Sequence, residues 1–175
     1  MQLGLHFTLR EEKMKIHPST YVHPSAVIMG DVTLKEGANI WPGVVLRGDY
    51  NRIEIGKNTN VQDLACLHIN DDLPCTIGDN VTIGHGAIVH ACTVEDNVLV
   101  GMGAILLDDC LISKGAWVGA GSLVPPGMVV PPGVLVLGSP AKVVRKLTEE
   151  ELKEHLEQNL AYVKRALDYK ETTNE

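Results

Sequence analysis

Three histidines, His68, His85 and His90, lie within a short stretch of the chain. A neutral imidazole ligates zinc through one ring nitrogen at about 2.0–2.1 Å, so three of them could hold a single divalent ion if the fold brought their rings together. Arg47, Asp49 and Asp63 stand nearby and could form an ion network, while Asn60 and Gln62 offer amides that could orient a water. His6, His17, His23 and His155 have no comparable neighbours. What the trio can do depends on the element that carries it.

That element shows itself as a period of six. Val22, Ile28, Leu34, Ile40 and Leu46 fall six apart, and so, after small offsets, do Ile55, Val61 and Leu67, then Ile77, Ile83 and Val89. A longer series runs through Val94, Val100, Leu106, Ile112, Val118, Val124, Val130 and Val136. Eight consecutive aliphatic hits have odds on the order of one in ten thousand per register by chance. Six residues fit neither an α-helix nor a long strand, but they suit a short strand plus a turn. Three such units close one triangular coil of 18 residues, and stacked coils pair their strands about 4.8 Å apart around an aliphatic interior. The expected fold is mainly β, a parallel β-helix of hexapeptide repeats.

The repeat fixes the register of the histidines. His68 follows Leu67 and His90 follows Val89, so the two hold the same place in their units. They are separated by one coil plus four residues inserted around Asn70 to Cys75. They should stack on one edge of adjacent coils, close enough to share an ion. His85, two places after Ile83, belongs to the preceding face, too distant to complete that site within one prism. A third ligand must then come from another chain, as a trimer with three equivalent seams would supply. Asp63 should stack beside His85, and Arg47 should share the edge of His68, with Asp49 and Asp63 as its carboxylate partners.

Composition narrows the rest. Aromatics are only 4% of the chain against 45% hydrophobic residues, which suits a narrow prism where rings would not fit at every level. A net charge of -7 argues against a nucleic-acid partner, because phosphate neutralisation needs clustered Lys and Arg. No apolar run is long enough to span a bilayer, no secretion signal is expected at the start, and Cys66, Cys75, Cys92 and Cys110 form no CxxC pair. The expected compartment is the reducing cytoplasm. Residues 1–15 are expected as an N-terminal arm, with disorder one reading of it, and residues 16–141 as the β-helix. Residues 142–175 should form a linker and a C-terminal helix. That helix opens with a capping box, Thr148 and Glu151, and a staple of Leu147 on Leu152. Its apolar face is expected through Leu152, Leu156, Leu160 (or Asn159), Val163 and Leu167, ending near Tyr169.

Arg47-Gly48-Asp49, then Thr59-Asn60-Val61-Gln62-Asp63, then His68, Gly84-His85 and His90, together resemble the γ-class carbonic anhydrase family. The match runs from about Ile16 to Leu147 and on into the helix. The resemblance implies a left-handed β-helix and a homotrimer with one Zn2+, or Fe2+ or Co2+ in some members, held at each seam by His68, His85 and His90. It implies reversible hydration of CO2 to bicarbonate by a metal-bound hydroxide. Gln62, Asn60 and Tyr162 resemble the family's residues around the reacting water, Asn159 more weakly, and Arg47, Asp49 and Asp63 its interface ion network.

Two features depart from the family archetype. Tyr50 stands where a glutamate follows the position of Asp49, and the loop from Asn70 to Cys75 is short and lacks a proton-shuttle glutamate. Asp71 and Asp72 remain there as solvated loop acids. Two other functions stay open at this point. One is a non-catalytic or weakly active metal-binding trimeric scaffold, which shuttle loss would favour. The other is a hexapeptide acyl-CoA acyltransferase, since Gly138-Ser139-Pro140-Ala141-Lys142 occurs in both families.

Overall fold

The computed structural model describes residues 14–173; most of the expected N-terminal arm lies outside them. The six-residue period becomes a left-handed parallel β-helix of about seven turns, followed by one helix. Every aliphatic residue of the series from Leu34 to Val136 points inward at no more than 1% exposure, so one side chain per face and level builds the core. The interior corners take smaller groups, Ala38, Ala65, Ala87, Ala104 and Ala116, and also Cys92 and Cys110. All four cysteines are free thiols, and at least these two act as small apolar fillers.

One face of the prism carries Cys66–His68, Ile88–His90, Ile105–Leu106 and Leu123–Val124. A second carries Cys75–Ile77, Thr93–Val94, Leu111–Ile112 and Val129–Val130. The long strand Val45–Ile55 turns the corner between them, pairing Val45–Arg47 with Cys66–His68 and Ile53–Ile55 with Cys75–Ile77. The third face is a separate sheet running through Asn39–Ile40, Asn60–Val61, Thr82–Ile83, Leu99–Val100, Trp117–Val118 and Val134–Leu137.

Turns between faces require left-handed backbone, which asparagine tolerates better than most residues. Asn58, Asn80 and Asn97 adopt it at φ of 54°, 55° and 59° and stack as a ladder, each amide donating to the next at 3.3 Å. At Gly30, φ is 80° and the neighbouring strand passes so close that a Cβ would lie 2.1 Å from the Gly48 carbonyl oxygen. Only glycine fits there.

Two expectations about the C-terminal part change. Lys142–Lys146, expected as linker, is a strand antiparallel to Val134–Leu137, and it closes the last edge of the third face. The helix α1 spans Glu149–Thr173 and begins at the expected capping box, with Glu151 N–H donating to Thr148 Oγ1 at 3.2 Å and Thr148 N–H to Glu151 Oε2 at 2.9 Å. Its packed face is rotated in part from the one expected: Asn159, the alternative to Leu160, is buried together with His155 and Ala166, and Leu152 and Val163 are half-buried, whereas Leu156, Leu160 and Leu167 are exposed. The reason lies beneath the helix, where Thr82 and the Val81 carbonyl present polar atoms that His155 and Asn159 can satisfy and leucines cannot.

Candidate metal centre

His68 and His90 meet as the repeat requires. They are direct partners in the parallel ladder, and their rings approach so that His68 Nδ1 lies 3.1 Å from His90 Nε2. The outer nitrogen of each ring is held by a carboxylate. His68 Nε2 lies 3.1 Å from Asp49 Oδ1, and His90 Nδ1 lies 2.5 Å from Asp108 Oδ1. A carboxylate accepts, so the ring protons belong on these outer nitrogens. The inner two then turn lone pairs toward each other. Two nitrogens on one tetrahedral zinc, each about 2.05 Å away, would stand about 3.3 Å apart. The observed spacing and donor chemistry therefore fit a divalent cation.

The surrounding charges reinforce this arrangement. Burial pushes the Asp49 carboxyl up, but hydrogen bonds from Arg47 and His68 outweigh it and hold the group below its ordinary pKa. Burial likewise works against the Asp108 carboxylate, and Asn70 and His90 overcome it. His68 is held below the ordinary histidine value chiefly by burial, with Asp49 opposing, which favours the neutral ring a metal needs. Arg47 lies beside His68 in the ladder and donates to Asp49 at 2.5 Å.

Other expected site residues sit elsewhere. His85 is on the corner after Thr82–Ile83, at the third face, where its Nδ1 lies 3.0 Å from Asp63 Oδ2. Asp63 thus stacks beside His85 as expected and, within one chain, is not a partner of Arg47. Among the described residues, no three His, Cys, Asp or Glu side chains converge within one chain on a point that could hold an ion. Gln62, His85 and Tyr162 line a cleft of ≈ 410 Å³ between the third face and α1, which continues past Met102 and Trp117. Asn60 is fully buried beneath it and accepts a 3.0 Å hydrogen bond from the Gln62 amide. Tyr162 packs edge-on against Trp41, with ring centroids 5.6 Å apart. The chain thus carries two half-sites, an imidazole pair on one face and an amide-lined cleft on another.

Asp108 and Asn70 were not foreseen from the residues. Asp108 lies 18 after His90, one nominal coil on, and that spacing was its available signal. Asn70 ties the inserted loop to the site, its amide donating to Asp108 at 2.7 Å while its Oδ1 accepts from the Asp72 and Leu73 N–H groups. Tyr50, at the archetype's glutamate position, packs against the core instead.

Known proteins share this architecture and sequence. A family model described as bacterial transferase hexapeptide (six repeats) matches residues 13–48. The mitochondrial γ carbonic anhydrase 2 of Arabidopsis thaliana is 48% identical over 143 residues, covering 78% of this chain and 51% of that protein. The carnitine operon protein CaiE of Escherichia coli is 39% identical over 137 residues, covering 78% of this chain and 70% of that one. The chain belongs to the γ carbonic anhydrase family of hexapeptide-repeat proteins. It spans about half the length of the plant γ carbonic anhydrase it matches. A Bacillus cereus crystal structure, of a candidate acetyltransferase, superposes with a TM-score of 0.91 at 41% identity, covering 93% of this chain and 94% of that one. Proteins similar to this chain therefore carry names from more than one reaction class.

Proposed function

We propose that this protein is a metal-dependent carbonic anhydrase, or a close relative of one, working at the seams of a homotrimer. His68 and His90 of one protomer and His85 of its neighbour would hold the ion, Zn2+ or else Fe2+ or Co2+. The observation that carries this reading is the approach of His68 Nδ1 to within 3.1 Å of His90 Nε2, with the other nitrogen of each ring against a carboxylate. When bound, the metal would supply an ionised water as the nucleophile toward CO2 near neutral pH.

The chain's own residues do the remaining work. Asp49 and Asp108 fix the tautomers of His68 and His90, so that both keep a lone pair on the inner side. The Gln62 N–H group donates to Asn60, which leaves Gln62 Oε1 as the acceptor that can orient the reacting water's proton. Tyr162 and the apolar wall of the cleft limit bulk water around CO2, which is itself apolar and needs no charged binding group. Arg47, paired with Asp49 and half-exposed, is placed to meet a carboxylate across the seam, with Asp63 of a neighbouring copy the partner this reading assigns. The free cysteines favour a reducing compartment such as the cytoplasm, and no helix among the described residues is long and apolar enough to cross a membrane.

The cleft favours a second reading, since ≈ 410 Å³ is far more room than CO2 needs and it borders His85. A lone histidine there could serve as general base in acyl transfer from an acyl-CoA. Stopped-flow CO2 hydration on zinc-loaded protein, with acetyl-CoA turnover as control, separates the two. Activity abolished by chelator and restored by zinc is the expected result. Bound zinc without hydration would leave the scaffold function, and chelator-resistant acyl transfer would replace the proposal. Loss of zinc from His85→Ala is expected, and full zinc retention by that variant would overturn the shared site.

A further inference from the structure

Beneath the cleft, one hydroxyl connects the C-terminal helix to the amides of the proposed active site. Thr82 Oγ1 lies 2.9 Å from Asn60 Nδ2, 3.5 Å from Asn159 Nδ2 and 3.2 Å from His155 Nε2. A hydroxyl has two lone pairs and one proton. The Asn60 amide takes one lone pair, and the Asn159 amide, which also donates to the Val81 carbonyl at 3.2 Å, approaches the other at 3.5 Å; this directs the Thr82 proton to His155 Nε2 and places the His155 proton on Nδ1. Burial, which lowers the His155 pKa to about 4, keeps that ring neutral.

Donation then runs in one direction along four residues: Gln62 N–H to Asn60 Oδ1, Asn60 N–H to Thr82 Oγ1, and Thr82 O–H to His155 Nε2. Its end fixes what the cleft sees. With the Gln62 amide nitrogen committed to Asn60, the oxygen is the atom free to face a reacting water. Were Asn60 to flip, Gln62 would have to flip with it and present a donor instead of an acceptor.

We infer that His155 and Thr82 are positioning residues that set the polarity of the Gln62 amide, placing the helix in control of which way the reacting water is oriented. The catalytic consequence rests on the proposed carbonic anhydrase reading, whereas the hydrogen-bond polarity does not. Thr82→Val keeps the shape and removes the hydroxyl, and Thr82→Ser restores it.

The first measurement needs no variant: long-range proton–nitrogen NMR of the intact protein should show His155 as the Nδ1–H tautomer. The Nε2–H tautomer would overturn the inference. Exchange of the Gln62 side-chain amide with solvent should be about tenfold faster in Thr82→Val and near wild type in Thr82→Ser. Equal protection in the valine variant would also overturn it. In zinc-loaded protein, kcat/KM for CO2 hydration should fall at least about tenfold in Thr82→Val at unchanged zinc content and recover in Thr82→Ser. If the tautomer and exchange results hold while the wild type hydrates no CO2, the proposed function fails and the positioning inference stands.

Discussion

Replacing Asp108 by asparagine tests the proposed metal centre without touching a proposed ligand. Asp108 Oδ1 lies 2.5 Å from His90 Nδ1, and its other oxygen takes the Asn70 amide at 2.7 Å. An asparagine of the same shape can still accept one hydrogen bond from His90, but without the charge that roughly doubles its strength. It can also turn its amide nitrogen toward the ring, which would favour the wrong tautomer and withdraw the His90 Nε2 lone pair from the site. Carboxylates behind metal-bound histidines typically contribute 10–100-fold in affinity. Zinc should therefore bind about tenfold more weakly to Asp108→Asn, some 1.4 kcal/mol, and up to about 100-fold more weakly to Asp108→Ala, some 2.7 kcal/mol. Asn70→Ala should cost less than either, because it loosens the loop and leaves the pair of His90 and Asp108 intact. Competition against a chromophoric chelator at fixed pH reads these constants, with oligomeric mass checked in parallel. Wild-type affinity in both Asp108 variants, with the assembly intact, would refute the assignment of His90 Nε2 as a ligand atom.

Gly30→Ala should be among the most damaging single substitutions: its Cβ would lie 2.1 Å from the Gly48 carbonyl oxygen, one residue from Asp49, so a large fall in Tm is expected and a change within a degree would contradict the close approach. Leu106→Ala, fully buried in the prism, should cost about 2–5 kcal/mol in chemical denaturation. Thr148→Ala removes the helix cap and should cost about 1 kcal/mol, or roughly 2–4 °C in Tm for a chain of this size. His155 gives a pH signature of definite sign. Its pKa falls from an ordinary 6.5 to about 4 through burial, so between these values the unfolded chain binds the proton that the native chain refuses. Its contribution is complete above about pH 6.5 and is lost as pH falls toward 4, on the order of 3 kcal/mol across the window. The stability difference between wild type and His155→Gln should shrink by that order on acidification, and a pH-independent difference would refute it.

In a β-helix, separation along the chain converts directly into height along the prism, which is why so much of the site could be read from residues alone. His68 and His90 lie 22 apart and still pair, because the loop from Asn70 bulges outward without disturbing the ladder. Asp63 beneath His85 follows from the same spacing. The conversion weakens where coils change length. Val89 pairs with Leu106, one residue short of a full coil, so Asp108 at 18 beyond His90 reaches the histidine from one place further on, in the turn after Ile105–Leu106. A carboxylate there looks like one more turn acid until that missing residue is counted.

The helix hid its role for a different reason. Its apolar periodicity named Leu156 and Leu160, yet Thr82 and the Val81 carbonyl lie beneath the helix, and although Asn60 already donates to both, leucine could not use their remaining hydrogen-bonding capacity as His155 and Asn159 do. A face one position round, led by His155 and Asn159, bonds to those atoms and leaves Leu156 and Leu160 outward. Hydrophobic pattern finds a packed face only when the surface it meets is apolar, and here the helix meets polar outward-facing groups of a strand whose apolar residues point inward. Polar residues on the inner face of such a helix therefore signal a prepared surface beneath. In this chain that surface carries the amides of the cleft that His85 borders, so the element that looks like a cap on the prism is joined by hydrogen bonds to the side chains that would orient the proposed chemistry.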